Sequence, residues 1–204
     1  MRLILTSKGL NQKAGRKIIG KAISGDDISD KRILLMTLSE YYIDEILKNA
    51  CKEIGFKESN ITVFDGEKHN EYSGIYHYIY VTEGNTFDII KMLREHNMDT
   101  YIVDMLRKTD GTYIGASAGA MIAGVDFCLA EEFDKNRVDV DDYRGLDLFH
   151  RKVAVVPHYT KAEFERFKRN MNKESPGILD KYEELYYISN YGIIDTLIDI
   201  HNFL

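Results

Sequence analysis

The stretch TYIGASAGAMIAG, residues 112–124, places a single serine, Ser117, between small residues. One apolar run precedes the serine and another follows it, which predicts a buried strand, a tight turn and a helix. Residues 115–119 spell Gly-Ala-Ser-Ala-Gly and match the G-x-S-x-G pattern of a nucleophile elbow, where bulky neighbours would collide with the strand and helix. A turn of small residues used only for close packing would have the same sequence. Other residues must therefore distinguish a nucleophile elbow from a packing turn.

Short apolar runs alternate with longer amphipathic segments along the chain, a pattern typical of βα units on a parallel sheet. Strands are predicted at 2–6, 32–38, 60–65, 76–81, 112–117 and 152–157, and helices at 11–23, 40–54, 86–108, 118–125 and 160–172. No linker-like segment divides the 204 residues. We therefore predict one domain, residues 1–204, with a doubly wound, mostly parallel sheet, helices on both faces and a site at the carboxyl ends of the strands.

Composition limits the class of protein. With 44% hydrophobic and 29% charged residues, the chain is expected to be soluble and globular. No apolar run approaches the roughly 20 residues that cross a bilayer, and the run Leu3 to Leu5 is too short for a secretory signal, so a cytoplasmic location without membrane attachment is expected. The net charge of −6 argues against binding to nucleic acid. The sequence does not determine the oligomeric state, and a homodimer is one candidate because it is the commonest arrangement of soluble oligomers.

Cofactor motifs are missing from the sequence. Cys51 and Cys128 lie in no CxxC or Cys/His cluster and are interpreted as buried thiols. There is no P-loop, no G-x-G-x-x-G after a predicted strand and no H-E-x-x-H, so no metal or nucleotide cofactor is expected.

A serine hydroxyl needs a base to accept its proton, and His158 is the best placed of the six histidines. It ends the segment KVAVVPHYT, in which Pro157 terminates a buried strand, so the imidazole would lie at the carboxyl edge of the sheet. Of the others, His77 is predicted within a strand and His96 within a helix, and His150 precedes its strand. His69 lies in a polar loop and His201 near the end of the sequence.

A third residue should orient the imidazole, and the segment between Ser117 and His158 is rich in carboxylates. Glu131 and Glu132 follow the apolar VDFCLA, which would hold their backbone near the elbow helix, and spacing alone does not separate them. The remaining acids are interpreted as a solvated loop: Asp134, Asp139, Asp141, Asp142 and Asp147.

An oxyanion hole needs two backbone N–H donors directed at one point. Ala118, directly after the serine, can supply one, and Gly84 in the loop VTEGNTF (81–87) can supply the second. The same loop also predicts the start of a helix, with Asn85 or Thr86 as N-cap, and both interpretations can hold at once.

These motifs carry a family resemblance. YIGASAGAMIAG resembles the GxSAGA elbow of the aspartyl dipeptidase (peptidase E) and cyanophycinase family of serine peptidases. EGNTF is similar to that family's GGNTF loop, and GLDLFHRKVAVVPHYT is similar to its LDLF…NPHF segment with the catalytic histidine. The matches keep the same order and cover about residues 76–160.

The resemblance implies a fold like that of class I glutamine amidotransferases (flavodoxin-like), with Ser117 as nucleophile and His158 as base. It also implies that Gly84 and Ala118 are the oxyanion donors, and that the third residue is an Asp or Glu. Counting forward from Ser117 gives Glu132, which we take as the prediction, whereas counting back from LDLF gives Asp134.

The activity implied is hydrolysis of short peptides through an acyl-enzyme, with Asp-X dipeptides as one candidate substrate. Glu83 stands where the family has a glycine and would either bind a substrate's free α-amine or, as we expect, point to solvent. Basic side chains at helical spacing predict an exposed face rather than a pocket for an acidic side chain: Lys161, Arg166, Lys168 and Arg169.

Two alternatives to a peptidase remain. An α/β-hydrolase-like esterase orders its triad in the same way, but this chain lacks the HGGG-type loop that such enzymes use for the oxyanion. The other alternative is a catalytically silent binding or regulatory module on the same scaffold.

Overall fold

The computed structural model describes residues 1–38, 43–66 and 74–198. Its strands are β1 (Arg2–Thr6), β2 (Ile33–Met36), β3 (Ile61–Phe64), β4 (Tyr78–Val81), β5 (Thr112–Ala116), β6 (Val153–Pro157), β7 (Glu184–Ile188) and β8 (Ile193–Leu197). Its helices are α1 (Lys13–Ala22), α2 (Ile43–Ile54), α3 (Thr86–Glu95), α4 (Met98–Thr109), α5 (Ala118–Met121) and α6 (Lys161–Glu174). Residues 40–42 of the predicted second helix, His69 and His201 lie outside the described residues.

Six strands form the main sheet in the order β3-β2-β4-β5-β1-β8. Every neighbouring pair is parallel except β1 and β8, which are antiparallel. The predicted α/β class with a mostly parallel sheet is therefore confirmed. None of the helices in the described ranges combines the length and apolar character needed to cross a membrane.

Both faces of this sheet are buried, because alternate residues of each strand point to opposite sides. Leu3 and Leu5 belong to a hydrophobic cluster that includes Phe87 and other residues of α3 to α6. Ile4, between them, belongs to a second cluster with Ile19 of α1 and residues of α2. Helices thus cover both faces, which explains why the strands are nearly continuous apolar runs rather than alternating ones.

Two predicted helices differ from the structure. The segment predicted as one helix over 86–108 forms α3 and α4, because Asn97 adopts a left-handed conformation with φ 56° and starts a new helix. Asparagine tolerates this conformation better than other non-glycine residues, so an otherwise helical pattern can change direction there. The predicted helix over 118–125 is α-helical only from Ala118 to Met121.

Strand β6 differs from the expectation in its pairing. It does not join the main sheet but pairs in parallel with β7 in a separate two-stranded sheet. Neither β7 nor β8 was predicted, because their residues are largely half-buried or exposed and lack the apolar run that identifies the central strands. The base candidate therefore comes from a different sheet than the serine.

The carboxyl ends of β4, β5 and β1 lie side by side, because these strands are neighbours and run parallel. Residues that directly follow these strands therefore gather at one edge of the sheet, where ligands bind in open α/β folds.

Candidate active site

Ser117 lies in the sharp turn between β5 and α5 with φ 50° and ψ −106°, a conformation that is rare for a residue with a side chain. The flanking positions have to be glycine, because a side chain at either one would collide with the backbone. A Cβ atom on Gly115 would lie 2.5 Å from the carbonyl oxygen of Gly119, and one on Gly119 would lie 2.2 Å from that of Val81. The small residues around the serine therefore allow strand and helix to approach closely, as the elbow interpretation predicts.

His158 faces the serine directly. Its Nε2 lies 2.7 Å from the Oγ atom of Ser117, within hydrogen-bonding distance. Its Nδ1 lies 3.0 Å from Oδ1 of Asn190. Because an amide oxygen can only accept a hydrogen bond, this contact assigns the imidazole proton to Nδ1 and leaves Nε2 free to accept the serine proton. The geometry is that of a serine paired with a base in the correct tautomer.

Asn190 lies in the turn between β7 and β8, where the N–H of Gly192 donates to the carbonyl of Ser189 at 2.9 Å. Asn190 was not predicted, because only carboxylates between the serine and the histidine were considered for this role. Its tetrapeptide SNYG indicates a turn after the apolar end of a strand but does not indicate an imidazole partner.

The structure does not bring the predicted acid, Glu132, to the imidazole. Glu132 is exposed at the end of a 3₁₀ turn, Cys128–Glu132, and borders an open groove beside Tyr159 and α6. Within the described residues, no hydrogen bond joins it to His158. The physical reason is that Nδ1 of His158 faces the turn after β7, and not the segment that follows the elbow helix.

The two alternative acids have other partners. Glu131 accepts a hydrogen bond from the hydroxyl of Tyr143. Asp134 accepts hydrogen bonds from the backbone N–H of Thr86 at 2.9 Å and from its hydroxyl at 2.6 Å. Asp134 therefore stabilises the start of α3, where a carboxylate also interacts favourably with the helix dipole.

The two predicted oxyanion donors are Ala118, directly after the serine, and Gly84, in the loop between β4 and α3. Gly84 has φ +149°, which favours glycine, and the next residue, Asn85, caps α3 by accepting from the N–H groups of Phe87 and Asp88. The N–H of Gly119 donates to the carbonyl of Thr82 at 3.2 Å and holds the elbow helix against this loop. In the described ranges, the N–H groups of Gly84 and Ala118 donate no hydrogen bond within the chain, which agrees with the predicted role of both as oxyanion donors.

Glu83 does not point to solvent as expected. Its carboxylate accepts hydrogen bonds from the N–H of Gly9 at 2.8 Å and from Nε2 of Gln12 at 2.9 Å. The side chain therefore joins the loop before α3 to the loop before α1. The carboxylate is therefore held between two loops rather than surrounded by water, in contrast to the expectation from the sequence.

The basic residues of α6 agree with the exposed-face interpretation. Lys161, Arg166 and Arg169 are exposed, and Lys168 forms an ion pair with Glu165 on the same helix at 2.8 Å. The helix begins with a capping box, in which Thr160 and Glu163 satisfy each other's backbone N–H groups.

The two thiols are poor nucleophiles. Cys51 is buried as predicted, whereas Cys128 is only half-buried. Burial raises the pKa of Cys51 to about 12, and partial burial together with the nearby Asp126 raises the pKa of Cys128. The thiolate is the reactive form of cysteine, so these shifts leave Ser117 as the candidate nucleophile. Across the described part of the chain, no group of three or more His, Cys, Asp and Glu side chains is placed to hold a metal ion.

Sequence comparisons relate the chain to known peptidases. An uncharacterized peptidase of Listeria monocytogenes is 30% identical over 119 residues, which cover 57% of this chain and 55% of that protein. Peptidase E of Haemophilus influenzae is 28% identical over 132 residues, which cover 63% of this chain and 55% of that protein. The chain thus spans about half the length of the curated relatives it matches.

Solved structures share the fold. A protein of Listeria monocytogenes EGD-e assigned to peptidase E superposes with a TM-score of 0.67 at 20% identity, covering 97% of this chain and 98% of that one. A peptidase from an acI-B1 Actinobacterium superposes with a TM-score of 0.57 at 15% identity, covering 96% of this chain and 82% of that one. The model of peptidase family S51 matches residues 33–189, well over half of the sequence, and the chain therefore belongs to this family.

Proposed function

We propose that this protein is a serine peptidase that hydrolyses short peptides. The observation that carries the proposal is the 2.7 Å contact between Ser117 Oγ and His158 Nε2 at a strained strand-to-helix turn. Membership of peptidase family S51 supports the same reaction class.

In the first half of the reaction, Ser117 attacks the scissile carbonyl carbon while Nε2 of His158 takes the hydroxyl proton. The carbonyl oxygen becomes negatively charged and binds between the N–H groups of Gly84 and Ala118. The C–N bond then breaks, and the imidazolium returns its proton to the leaving amine. In the second half, His158 activates a water molecule, which releases the acid product and restores the serine.

Asn190 takes the third position in this proposal, in place of Glu132. Its amide oxygen holds the Nδ1 proton of His158, and so fixes both the tautomer and the direction of the ring. An amide carries no charge, so it orients the imidazole without adding the electrostatic stabilisation of a carboxylate. Cysteine peptidases with a Cys-His-Asn arrangement use an asparagine in the same way.

We expect Asn190→Ala to lower kcat by about 10- to 100-fold, because the imidazole loses the acceptor that selects its reactive tautomer. Asn190→Asp should restore most of the rate, since a carboxylate accepts from the same Nδ1–H. Steady-state kinetics on one peptide substrate would measure both variants. Glu132→Gln is the matched comparison, with an expected change below about twofold. A loss in Glu132→Gln equal to that in Asn190→Ala would return the third role to Glu132.

The substrate side chain is the finer part of the proposal. Asp-X dipeptides are the substrates to test first, because of the resemblance to aspartyl dipeptidases. Arg166 of α6 lines the groove beside Tyr159, but three carboxylates line the same groove, so it does not favour an acidic side chain: Glu132, Glu163 and Glu174.

A panel of dipeptides varied at the first residue, with a chromogenic acyl ester beside it, would test the proposed function. Cleavage of peptides, together with labelling of Ser117 by a serine-directed phosphonate, is the expected result. Ester cleavage far faster than any peptide cleavage would instead indicate an esterase. A folded protein that neither cleaves nor reacts with the phosphonate would be a binding or regulatory module.

A further inference from the structure

Ser7 is a buried serine directly after β1, and only 1% of its surface is exposed. Its Oγ donates a hydrogen bond to the carbonyl of Ile188 at 2.8 Å and accepts one from the backbone N–H of His158 at 2.9 Å. We infer that Ser7 is a positioning residue that holds His158 and the turn carrying Asn190 in register with Ser117. This inference rests on the proposed peptidase function.

The serine and the histidine come from different sheets. Ser117 follows β5 of the main sheet, whereas His158 follows β6 of the two-stranded sheet. The backbone N–H groups of Ser117 and His158 donate to two consecutive residues at the end of β1. The N–H of Ser117 donates to the carbonyl of Thr6 at 2.8 Å, and the N–H of His158 donates to the hydroxyl of the next residue, Ser7. One rigid dipeptide therefore sets the spacing of the two groups.

The conformation of His158 makes this support necessary. His158 has φ 68°, which is unfavourable for a residue with a bulky side chain and persists only where surrounding contacts impose it. The preceding residue is Pro157, which has no N–H to donate. The hydrogen bond from His158 N–H to Ser7 thus connects the left-handed turn to the end of β1 in the main sheet.

The hydroxyl of Ser7 also supports the turn that carries Asn190. Ile188 is the register partner of Pro157 in the β6–β7 pair and precedes Asn190 by two residues. By donating to the Ile188 carbonyl, Ser7 fixes the end of β7 from which the Asn190 turn begins. A buried hydroxyl that both donates and accepts cannot be lost without leaving two backbone groups unsatisfied.

Replacement of the hydroxyl should therefore weaken catalysis more than binding. We expect Ser7→Ala to lower kcat by about 10- to 100-fold while KM stays within about twofold, because a small misplacement of a base strongly slows proton transfer. Thr112→Val is the matched control, since it removes a hydroxyl from a buried residue at the amino end of β5, the end of the strand away from Ser117. The control should keep the wild-type kcat. Equal losses of kcat in both variants, or an unchanged kcat in Ser7→Ala, would overturn the inference.

A second readout does not depend on activity. Amide hydrogen exchange at His158 should become about tenfold faster in Ser7→Ala, because its acceptor is removed. Unchanged exchange would contradict the inference even if the protein cleaved no peptide, whereas an inactive wild type with faster exchange in the variant would contradict only the proposed function. If Ser7→Ala does not fold, Ser7→Cys keeps the volume with a weaker hydrogen-bonding group and should show smaller changes in the same directions. Wild-type kcat and exchange in Ser7→Cys would overturn the inference.

Discussion

Ser117→Ala is expected to reduce kcat/KM for peptide hydrolysis by at least about 10⁴-fold, to the background rate. The reason is that the covalent intermediate cannot form without the Oγ atom that lies 2.7 Å from His158 Nε2. Nearby backbone donors would still bind the substrate carbonyl, so KM should change little. Initial rates over a range of substrate concentrations, with active-site labelling by a phosphonate, would measure the effect.

The control for this variant is Ser24→Ala. Ser24 is exposed in a turn, where its hydroxyl donates to the carbonyl of Lys21 at 2.9 Å. Wild-type activity is expected after its removal. More than about 1% residual activity in Ser117→Ala, from protein free of contaminating peptidase, would exclude nucleophilic catalysis by this serine.

Gly119→Ala should strongly destabilise the protein. The added Cβ would lie 2.2 Å from the carbonyl oxygen and 2.8 Å from the carbonyl carbon of Val81, which are backbone atoms of the central strand β4. Neither atom can turn aside as a flexible side chain would, so α5 has to move away from the sheet. We expect a loss of about 3 kcal/mol or more in the free energy of unfolding.

Thermal and denaturant unfolding would measure this loss, which corresponds to a fall in Tm of about 6–12 °C for a chain of this size. Gly25→Ala is the matched control, because a Cβ there meets no atom within 4 Å. Its effect should lie within about 0.5 kcal/mol. Equal stabilities of the two variants would show that the elbow accommodates a side chain at Gly119. That result would contradict the steric conflict with the Val81 backbone.

Several features of the site were predictable because they depend on neighbouring residues in the sequence. The sharp turn follows from the apolar strand and from the two glycines and the serine of residues 115–119, because small residues allow strand and helix to approach closely. The position of His158 follows from Pro157, which ends a buried strand. The N-cap at Asn85 likewise depends only on the first turn of the helix it begins.

Contacts between distant segments were not predictable in this way. Asn190 lies 32 residues after His158, and nothing in its own turn indicates that an imidazole faces it. The sequence instead suggested Glu132, because carboxylates are common between the elbow and the histidine. The carboxylate of Glu83, expected in solvent, is bound by Gly9 and Gln12 of a loop more than 70 residues earlier.

The sequence by itself determined the α/β class and the sharp strand-to-helix turn at Ser117, since hydrophobic periodicity and glycine spacing are local properties of the chain. Only the tertiary structure decided that β6 pairs with β7 outside the main sheet, that Asn190 faces His158, and that Ser7 joins the two sheets. The physical reason is that a hydrogen bond between segments far apart in sequence depends on how whole elements pack. The local sequence around a polar residue in a turn does not show which distant residue will contact it.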